Sequence, residues 1–225
     1  VSAILAEYGC FLIGGDTVRG SELVISVTVL GEAKHNQILY RTGARPGDTV
    51  YVSGPLGSAA AGLALFQRAK KEKARPEQWP QWQDLLAAHL NPLPLVELGQ
   101  YLACSGCVTS MQDISDGVAT DLAHICQESG TGSLLYAERL PALSIIDSAA
   151  LFQEKEKLDL LLKGGEDYQL LFTVRPGREK ELEASLLTTL NHQIYPVGII
   201  TEGQGVILEK SDGSRCDITF QGYEH

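Results

Sequence analysis

The chain has 225 residues, of which 44% are hydrophobic and 20% are charged, and its formal net charge is −10. These values are typical of a soluble globular protein with a sizeable core. The negative charge argues against nucleic-acid binding and against docking on anionic membranes, since both need a basic face. No apolar run approaches the roughly 20 residues that span a bilayer, and no signal peptide is visible.

Cysteine usage indicates a reducing compartment. Five cysteines, an odd number, form no disulfide framework, so we expect a cytoplasmic protein. Cys104 and Cys107 are close together, but a zinc site needs a second pair and none exists, so we interpret them as ordinary thiols. The chain starts at Val1 rather than Met, and residues 1–8 are typical of the tail of a helix. We therefore expect a fragment or a processed chain.

The first part of the chain combines short strand patterns with a glycine-rich turn. After the helix, the composition predicts strands at residues 11–13, 23–30 and 38–41. Gly14-Gly15-Asp16-Thr17 breaks the pattern between the first two strands. Two glycines allow a sharp turn that presents the carboxylate of Asp16; a plain turn closed by a side-chain hydrogen bond is the alternative.

Two arginines and a glycine-rich turn come next. Arg41 and Arg45 flank a loop, and an arginine there suits phosphate recognition or simply a solvated surface. The strand predicted at 49–53 leads through a glycine-rich turn, residues 53–58, into a helix at 59–71. Such a turn can hold an anion at the helix N-terminus, but it lacks the ending of a P-loop. Tight strand–helix packing is the favoured interpretation.

The remaining elements alternate irregularly, which favours an α+β fold, a mixed α/β sandwich, over a regular doubly wound sheet. We predict helices at residues 84–90, 95–103, 118–130 and 176–189, and two more within 141–163. We predict strands at residues 108–111, 132–137, 169–174, 195–200 and 205–209.

The segment Gln112-Asp113-Ile114-Ser115-Asp116-Gly117 lies at a predicted strand-to-helix corner. Ser115 or Asp116 could cap the helix that follows. A cap explains one carboxylate, but not a second one held alongside it against like-charge repulsion. A Mg²⁺ ion would resolve the repulsion, because hard divalent cations prefer carboxylate oxygens and bridge to phosphates. Cap and metal site both stay open at this point.

A second glycine–glycine–acid turn follows later in the chain. Gly164-Gly165-Glu166-Asp167-Tyr168 repeats the pattern of residues 14–16 and leads into the strand predicted at 169–174. A flexible turn again presents a carboxylate at a strand end.

Four of these segments, at residues 13–17, 41–44, 113–117 and 164–168, occur in this order and together closely resemble the thiamine-monophosphate kinase family. That family belongs to a superfamily that includes aminoimidazole ribonucleotide synthetase. The resemblance implies the C-terminal α/β domain of the superfamily, at residues 37–225. It also implies that residues 1–36 are the end of its N-terminal nucleotide- and metal-binding domain.

The resemblance implies ATP-dependent phosphorylation of thiamine monophosphate to thiamine diphosphate, by direct transfer assisted by several Mg²⁺ ions. It also implies a homodimer formed through the N-terminal domain. The roles it implies are Mg²⁺ ligands at Asp16, Asp113 and Asp116, ATP contacts at Arg41 and Ser115, and substrate contacts at Glu166 and the C-terminal aromatic Tyr223.

Two departures from the family pattern matter. Asn91 and Leu95 stand where the family often has arginines, so a phosphate contact from that loop is in doubt. The upstream domain with further aspartates is not in this sequence, so activity of this piece stays open. The alternatives are a related ATP-dependent synthetase of the same superfamily and a non-catalytic binding module.

Overall fold

The computed structural model describes residues 2–148 and 152–222. They divide into two units, residues 1–33 and residues 34–225. None of the described helices is both long and apolar enough to cross a membrane. Whether residues 1–36 end a separate nucleotide-binding domain stays a prediction.

The first unit contains one helix, α1 (Ser2–Glu7), and none of its other described residues forms a strand. The strands predicted at 11–13 and 23–30 are therefore wrong. Their apolar side chains are exposed, as Phe11 and Leu23 illustrate with 87% and 88% of their surface accessible. A strand needs a hydrogen-bonded neighbour as well as a β-branched composition. No such neighbour is present among the described residues of this unit.

The second unit is built on a seven-stranded sheet in the order β2-β4-β1-β5-β3-β6-β7. Neighbouring strands are antiparallel, except for the parallel pair β3–β6. The strands are β1 (Thr49–Val52), β2 (Val108–Asp113), β3 (Gly132–Tyr136), β4 (Leu170–Val174), β5 (Tyr195–Thr201), β6 (Gly205–Glu209) and β7 (Arg215–Asp217).

Seven α-helices accompany the sheet in the described part of this unit. They are α2 (Ser58–Glu72), α3 (Gln83–Leu90), α4 (Val96–Cys104), α5 (Val118–Ser129), α6 (Ser144–Ser148), α7 (Glu154–Lys163) and α8 (Glu179–Leu190). Short 3₁₀ helices lie at His35–Gln37, Pro76–Gln78, Pro80–Trp82 and Ala137–Arg139.

Helices cover both faces of the sheet, because central strands point successive side chains to opposite faces. On β1, Val50 and Val52 face a core shared with α5 and α7, while Tyr51 faces a core shared with α4 and α8. Tyr51 stacks on its cross-strand partner Phe172, with ring centroids 5.7 Å apart. The expected mixed α/β sandwich is thus confirmed.

The elements predicted for residues 45–211 are found within a few residues of their expected ends. An exception just before them is the strand predicted at 38–41, which is wrong. Among the described residues, a single backbone hydrogen bond joins this segment to the edge strand β2, from the Met111 N–H to the Tyr40 oxygen at 3.0 Å. The described cysteines are all free thiols, as expected.

A prediction follows from the contact between α2 and α3, which depends on Gly62. A methyl group built there would collide with the backbone oxygen of Leu85. Gly62→Ala should therefore destabilise the protein by about 1–3 kcal/mol, as overpacking does. The matched control is Gly99→Ala in α4, where the nearest atom lies at an ordinary 3.8 Å. Because alanine favours helices, the control should gain up to about 1 kcal/mol. Urea denaturation measures both; equal effects would contradict the packing argument.

Candidate functional site

The acidic corner, residues 113–117, lies where β2 ends and α5 begins. The Ile114 side chain is fully buried, whereas Asp113 is exposed and Asp116 is half-buried. The Ile114 N–H donates to the Gln169 oxygen at 2.8 Å. A buried isoleucine and a backbone hydrogen bond to the start of β4 thus anchor a turn whose carboxylates remain accessible.

Neither Ser115 nor Asp116 caps α5, so that expectation is wrong. The residue at the cap position is Gly117, with φ of 106°, and no side chain makes a capping hydrogen bond. A methyl group at Gly117 would lie 2.8 Å from the backbone carbonyl carbon of Lys163 at the end of α7. The corner packs closely against that helix end, and the backbone conformation of Gly117 is one that favours glycine. Helix capping therefore does not account for its two carboxylates.

A third carboxylate lies behind the corner, and the sequence-based expectations do not include it. Asp121 in the first turn of α5 is only 2% exposed. Its Oδ2 accepts the N–H groups of Ser115 (3.1 Å) and Asp116 (3.0 Å), and its Oδ1 accepts Nε2 of Gln112 (3.0 Å). Burial, reinforced by the negative charges of Asp116 and Asp113, raises the pKa of Asp121 to about 7. The only hint in the sequence is its place in the first turn of a predicted helix.

The glycine loop, residues 164–168, packs directly on the acidic corner. The N–H groups of Glu166 and Tyr168 donate to backbone oxygens of the corner, each at 2.9 Å. A methyl group at Gly165 would collide with the Ser115 oxygen. Glu166 and Tyr168 have φ of 64° and 50°, a left-handed conformation that costs about 1 kcal/mol or more for such residues. The two acidic segments predicted separately thus form one site.

The Glu166 carboxylate is exposed and lies close to a histidine of α3. Its side chain is 60% exposed, and its Oε2 lies 3.8 Å from Nδ1 of His89 in α3. The His89 ring in turn lies against Phe66, with ring centroids 5.9 Å apart. The structure therefore brings Glu166 and Ser115 together, with an imidazole next to the glutamate.

Asp167 has a structural role that no pattern in the sequence indicates. Its carboxylate accepts the N–H groups of Gly57 (2.6 Å) and Ala59 (3.0 Å) at the N-terminus of α2. Gly57, at the cap position, has no side chain to do this. Burial raises the pKa of Asp167 to about 6, although these hydrogen bonds oppose the rise. The glycine-rich turn at 53–58 thus holds a carboxylate of the chain itself.

The residues on either side of Arg41 form hydrogen bonds with β2 and α5, the two elements that flank the corner. The residue before it, Tyr40, bonds to Met111 in β2. The residue after it, Thr42, donates its hydroxyl to the Glu128 oxygen at 3.0 Å, near the end of α5. Arg41 therefore lies beside the strand that ends in the acidic corner, and its contact with ATP stays a prediction.

The C-terminal tail also reaches the corner. The Gly222 N–H donates to the Thr120 hydroxyl at 2.7 Å, and a methyl group at Gly222 would collide with the Asp116 oxygen. Tyr223, the predicted aromatic contact to the substrate, lies outside the described residues. Its role stays a prediction.

Asp16 belongs to the first unit. It is exposed, and its Oδ1 accepts the Thr17 N–H at 2.7 Å, a hydrogen bond within the turn. That it shares a metal site with Asp113 and Asp116 stays a prediction.

The corner has two carboxylates whose chemistry can be compared with that of known metal sites. Within residues 2–148 and 152–222, no group of three or more His, Cys, Asp or Glu side chains is arranged to hold an ion. Mg²⁺ bound with phosphates typically takes one or two protein carboxylates and completes its shell with water and phosphate oxygens. Asp113 and Asp116, accessible and in one turn, fit that donor set.

Asn91 and Leu95 bring no positive charge to the site. Leu95 packs against the core between the sheet, α4 and α8. Asn91 lines a cleft of about 350 Å³ together with Asp167 and Gln169, and none of its described lining residues is a lysine or arginine. The doubt about a phosphate contact from this loop therefore has a structural basis.

Comparisons with known proteins find relatives that match most of this chain. Residues 45–211 match the family described as AIR synthase related protein, C-terminal domain. A thiamine-monophosphate kinase of Methanopyrus kandleri is 36% identical over 217 residues, which are 96% of this chain and 64% of that protein. The chain thus spans just under two thirds of the length of this curated relative.

Solved structures show the same similarity. The crystal structure of thiamine-monophosphate kinase from Stenotrophomonas maltophilia matches with a TM-score of 0.69 and 32% identity, over 79% of this chain and 54% of that one. The structure of AaThiL complexed with AMPPCP and TMP matches with a TM-score of 0.63 and 32% identity, over 78% of this chain and 51% of that one. The resemblance stated from four sequence segments is confirmed.

The titration of Asp167 should make the free energy of unfolding depend on pH. Its folded pKa, about 6, lies above the ordinary value of 3.8. The folded state therefore binds this proton more tightly than the unfolded state does. The contribution of this proton to the free energy of unfolding is fully present below about pH 4 and is lost as the pH rises through 6. For a partly exposed group, the contribution is about 2 kcal/mol.

Asp167→Asn removes this titration, so the variant should gain about 2 kcal/mol relative to wild type between pH 4 and pH 7.5. Urea denaturation of both proteins at the two pH values measures the difference, and titrations elsewhere in the chain cancel. A stability difference that is constant with pH would show that Asp167 titrates normally.

Proposed function

Because this chain belongs to the family of AIR synthase-related proteins, we propose that it carries the metal-binding corner and the substrate loop of a thiamine-monophosphate kinase. The reaction is transfer of the γ-phosphoryl group of ATP to thiamine monophosphate. The observation that carries the proposal is the backbone contact between the acidic corner and the glycine loop. This contact supports the proposal because it joins the backbone of the turn that carries Asp113 and Asp116 to the backbone of the loop that carries Glu166.

Asp113 and Asp116 are proposed to hold Mg²⁺ together with Asp16, and Ser115 and Arg41 to contact ATP. Bound Mg²⁺ supplies neutralisation of the phosphate charges. The residues themselves position the nucleotide: the Asp113 and Asp116 carboxylates are accessible, and the Ser115 N–H is fixed from behind by Asp121. In a chain of net charge −10, bound cations would offset the repulsion between the protein and its anionic substrates.

Glu166 and Tyr223 are proposed to contact the thiamine moiety. The thiazolium ring is cationic, and the exposed Glu166 carboxylate offers it a complementary charge. Tyr223 directly follows Gly222 in the sequence, and Gly222 lies against the backbone oxygen of Asp116 in the corner. Donor and acceptor phosphates would then meet between these two sides.

In the transfer step, an oxygen of the thiamine phosphate attacks the γ-phosphorus of ATP. The bond from that phosphorus to the β–γ bridging oxygen breaks, and ADP leaves with the electron pair. A phosphate monoester is already deprotonated and needs no general base. The main obstacle is the repulsion of two anions, so positioning and charge neutralisation do most of the work. No phosphoenzyme is required.

Residues 1–36 are proposed to belong to the nucleotide- and metal-binding domain, which supplies Asp16 and the contact of a homodimer. A cytoplasmic location is proposed from the free cysteines. The test is to incubate the purified protein with ATP, MgCl₂ and thiamine monophosphate and to quantify thiamine diphosphate by chromatography. Binding of neither substrate in calorimetry, with no product, would overturn the proposal.

Asp113→Asn should raise the magnesium concentration needed for activity and lower turnover at low magnesium by about 100-fold, because a cation loses a charged ligand. The matched control is Asp212→Asn. That exposed aspartate bonds to the Ser214 N–H in a turn, which asparagine does equally well. Magnesium titration of the initial rate measures both variants. Unchanged activity of Asp113→Asn at low magnesium would contradict the metal role.

Glu166→Gln should raise the KM for thiamine monophosphate by about 10-fold and leave the KM for ATP unchanged. The amide keeps the size of the side chain but loses its charge, which is worth about 1.4 kcal/mol or more in a charged hydrogen bond. Glu202→Gln, at an exposed position, is the control. Equal changes in both KM values would place Glu166 outside the acceptor site.

A further inference from the structure

Asp121 is a buried carboxylate that the proposed reaction does not use. An acidic residue in the first turn of a helix usually faces solvent and interacts with the helix dipole. Asp121 is instead 2% exposed. In the part of the chain that the structure describes, no lysine, arginine or histidine forms an ion pair with it. A buried carboxylate without a cationic partner is costly, so its presence needs a reason.

The hydrogen bonds of Asp121 all converge on the acidic corner. One oxygen, Oδ2, accepts the N–H groups of both Ser115 and Asp116. On its other side, Nε2 of Gln112 donates to Oδ1 at 3.0 Å and to the backbone oxygen of Asp121 at 2.9 Å. Gln112 immediately precedes Asp113. Asp121 therefore fixes the backbone at Ser115 and Asp116, and it holds the side chain of the residue before Asp113.

The charge of Asp121 also acts on the corner. Asp113, Asp116 and Asp121 repel one another, and no basic side chain pairs with Asp121 to offset this in the described chain. A cation held by the first two would relieve the repulsion from all three. Groups that orient metal ligands in this way typically change metal affinity by about 10- to 100-fold when they are replaced.

We propose that Asp121 is a positioning residue for the cation site. Through its hydrogen bonds it holds the acidic corner in the shape that binds the ion, and it adds negative charge behind the two ligands. The inference rests on the proposed metal role of Asp113 and Asp116. It assigns to Asp121 no contact with the ion or with either substrate.

Asp121→Asn separates this role from a merely structural one. The amide oxygen can still accept the N–H groups of Ser115 and Asp116. The amide nitrogen would face Gln112, whose Oε1 is buried without a hydrogen-bond partner among the described residues, so a flip of the Gln112 amide offers it an acceptor. The flip gives up the hydrogen bond from Nε2 to the backbone oxygen of residue 121, and the removal of a buried charge offsets that loss. The fold should persist while the negative charge is lost. Because the variant keeps these acceptors, a loss of cation affinity at unchanged stability reports the charge that Asp121 places behind the two ligands, whereas a merely structural role would lower stability and cation affinity together.

The experiment measures Mn²⁺ binding by electron paramagnetic resonance, with no nucleotide present, together with the thermal midpoint of each protein. The matched control is Asp48→Asn. Asp48 is also 2% exposed, and it accepts the Arg45 N–H (3.0 Å) and the Thr109 hydroxyl (2.6 Å) away from the corner. Asp121→Asn should bind Mn²⁺ about 10- to 100-fold more weakly with a thermal midpoint close to wild type. Asp48→Asn should keep its Mn²⁺ affinity.

Wild-type affinity in Asp121→Asn would overturn this inference and leave the metal role of Asp113 intact. A wild-type protein that binds no Mn²⁺ would overturn both. If Asp121→Asn does not fold, Gln112→Ala replaces it, because it removes one support of Asp121 and keeps the charge. About 3- to 10-fold weaker Mn²⁺ binding is then expected, and unchanged affinity overturns the inference.

Discussion

The backbone contact between the acidic corner and the glycine loop is the constraint on which the rest of the site depends. Two turns that approach this closely leave no room for side chains between them. A methyl group at Gly165 would strike the corner, and one at Gly117 would strike the end of α7. Glycine at these positions thus serves the approach of one backbone to another. Two segments that lie far apart in the sequence, each carrying carboxylates, are thereby held in backbone contact.

The electrostatics of the site follow from the same approach. Four acidic residues belong to this pair of turns or pack against it: Asp113, Asp116, Asp121 and Glu166. The imidazole of His89 lies 3.8 Å from the Glu166 carboxylate. Backbone N–H groups, rather than cationic side chains, stabilise the buried member of this set. Like charges held this close repel one another, and the proposed cation would relieve that repulsion. The acidic balance of the whole chain and the chemistry of the site therefore agree.

Local patterns in the sequence predicted most of residues 45–211, since the strands and helices there follow their hydrophobic periods. The segment at 23–30 has the composition of a strand but lacks a hydrogen-bonded neighbour in the described chain, and composition cannot supply one. The capping expectation was wrong because Gly117, held against α7, occupies the cap position. Asp121 and Asp167 were missed because their tasks depend on partners that only the tertiary structure brings near. The roles of Asp16, Arg41 and Tyr223 come from resemblance and stay predictions.

The hydrogen bond between Gly57 and Asp167 joins residues 110 positions apart, and that between Thr120 and Gly222 joins residues 102 apart. Closing loops of this length costs entropy before any contact offsets it, so the region around the corner assembles only when distant parts of the chain have come together. A nascent or partly unfolded chain has no assembled site. Any ligand of the corner therefore binds the native state selectively and protects the chain against unfolding and proteolysis in proportion to its occupancy.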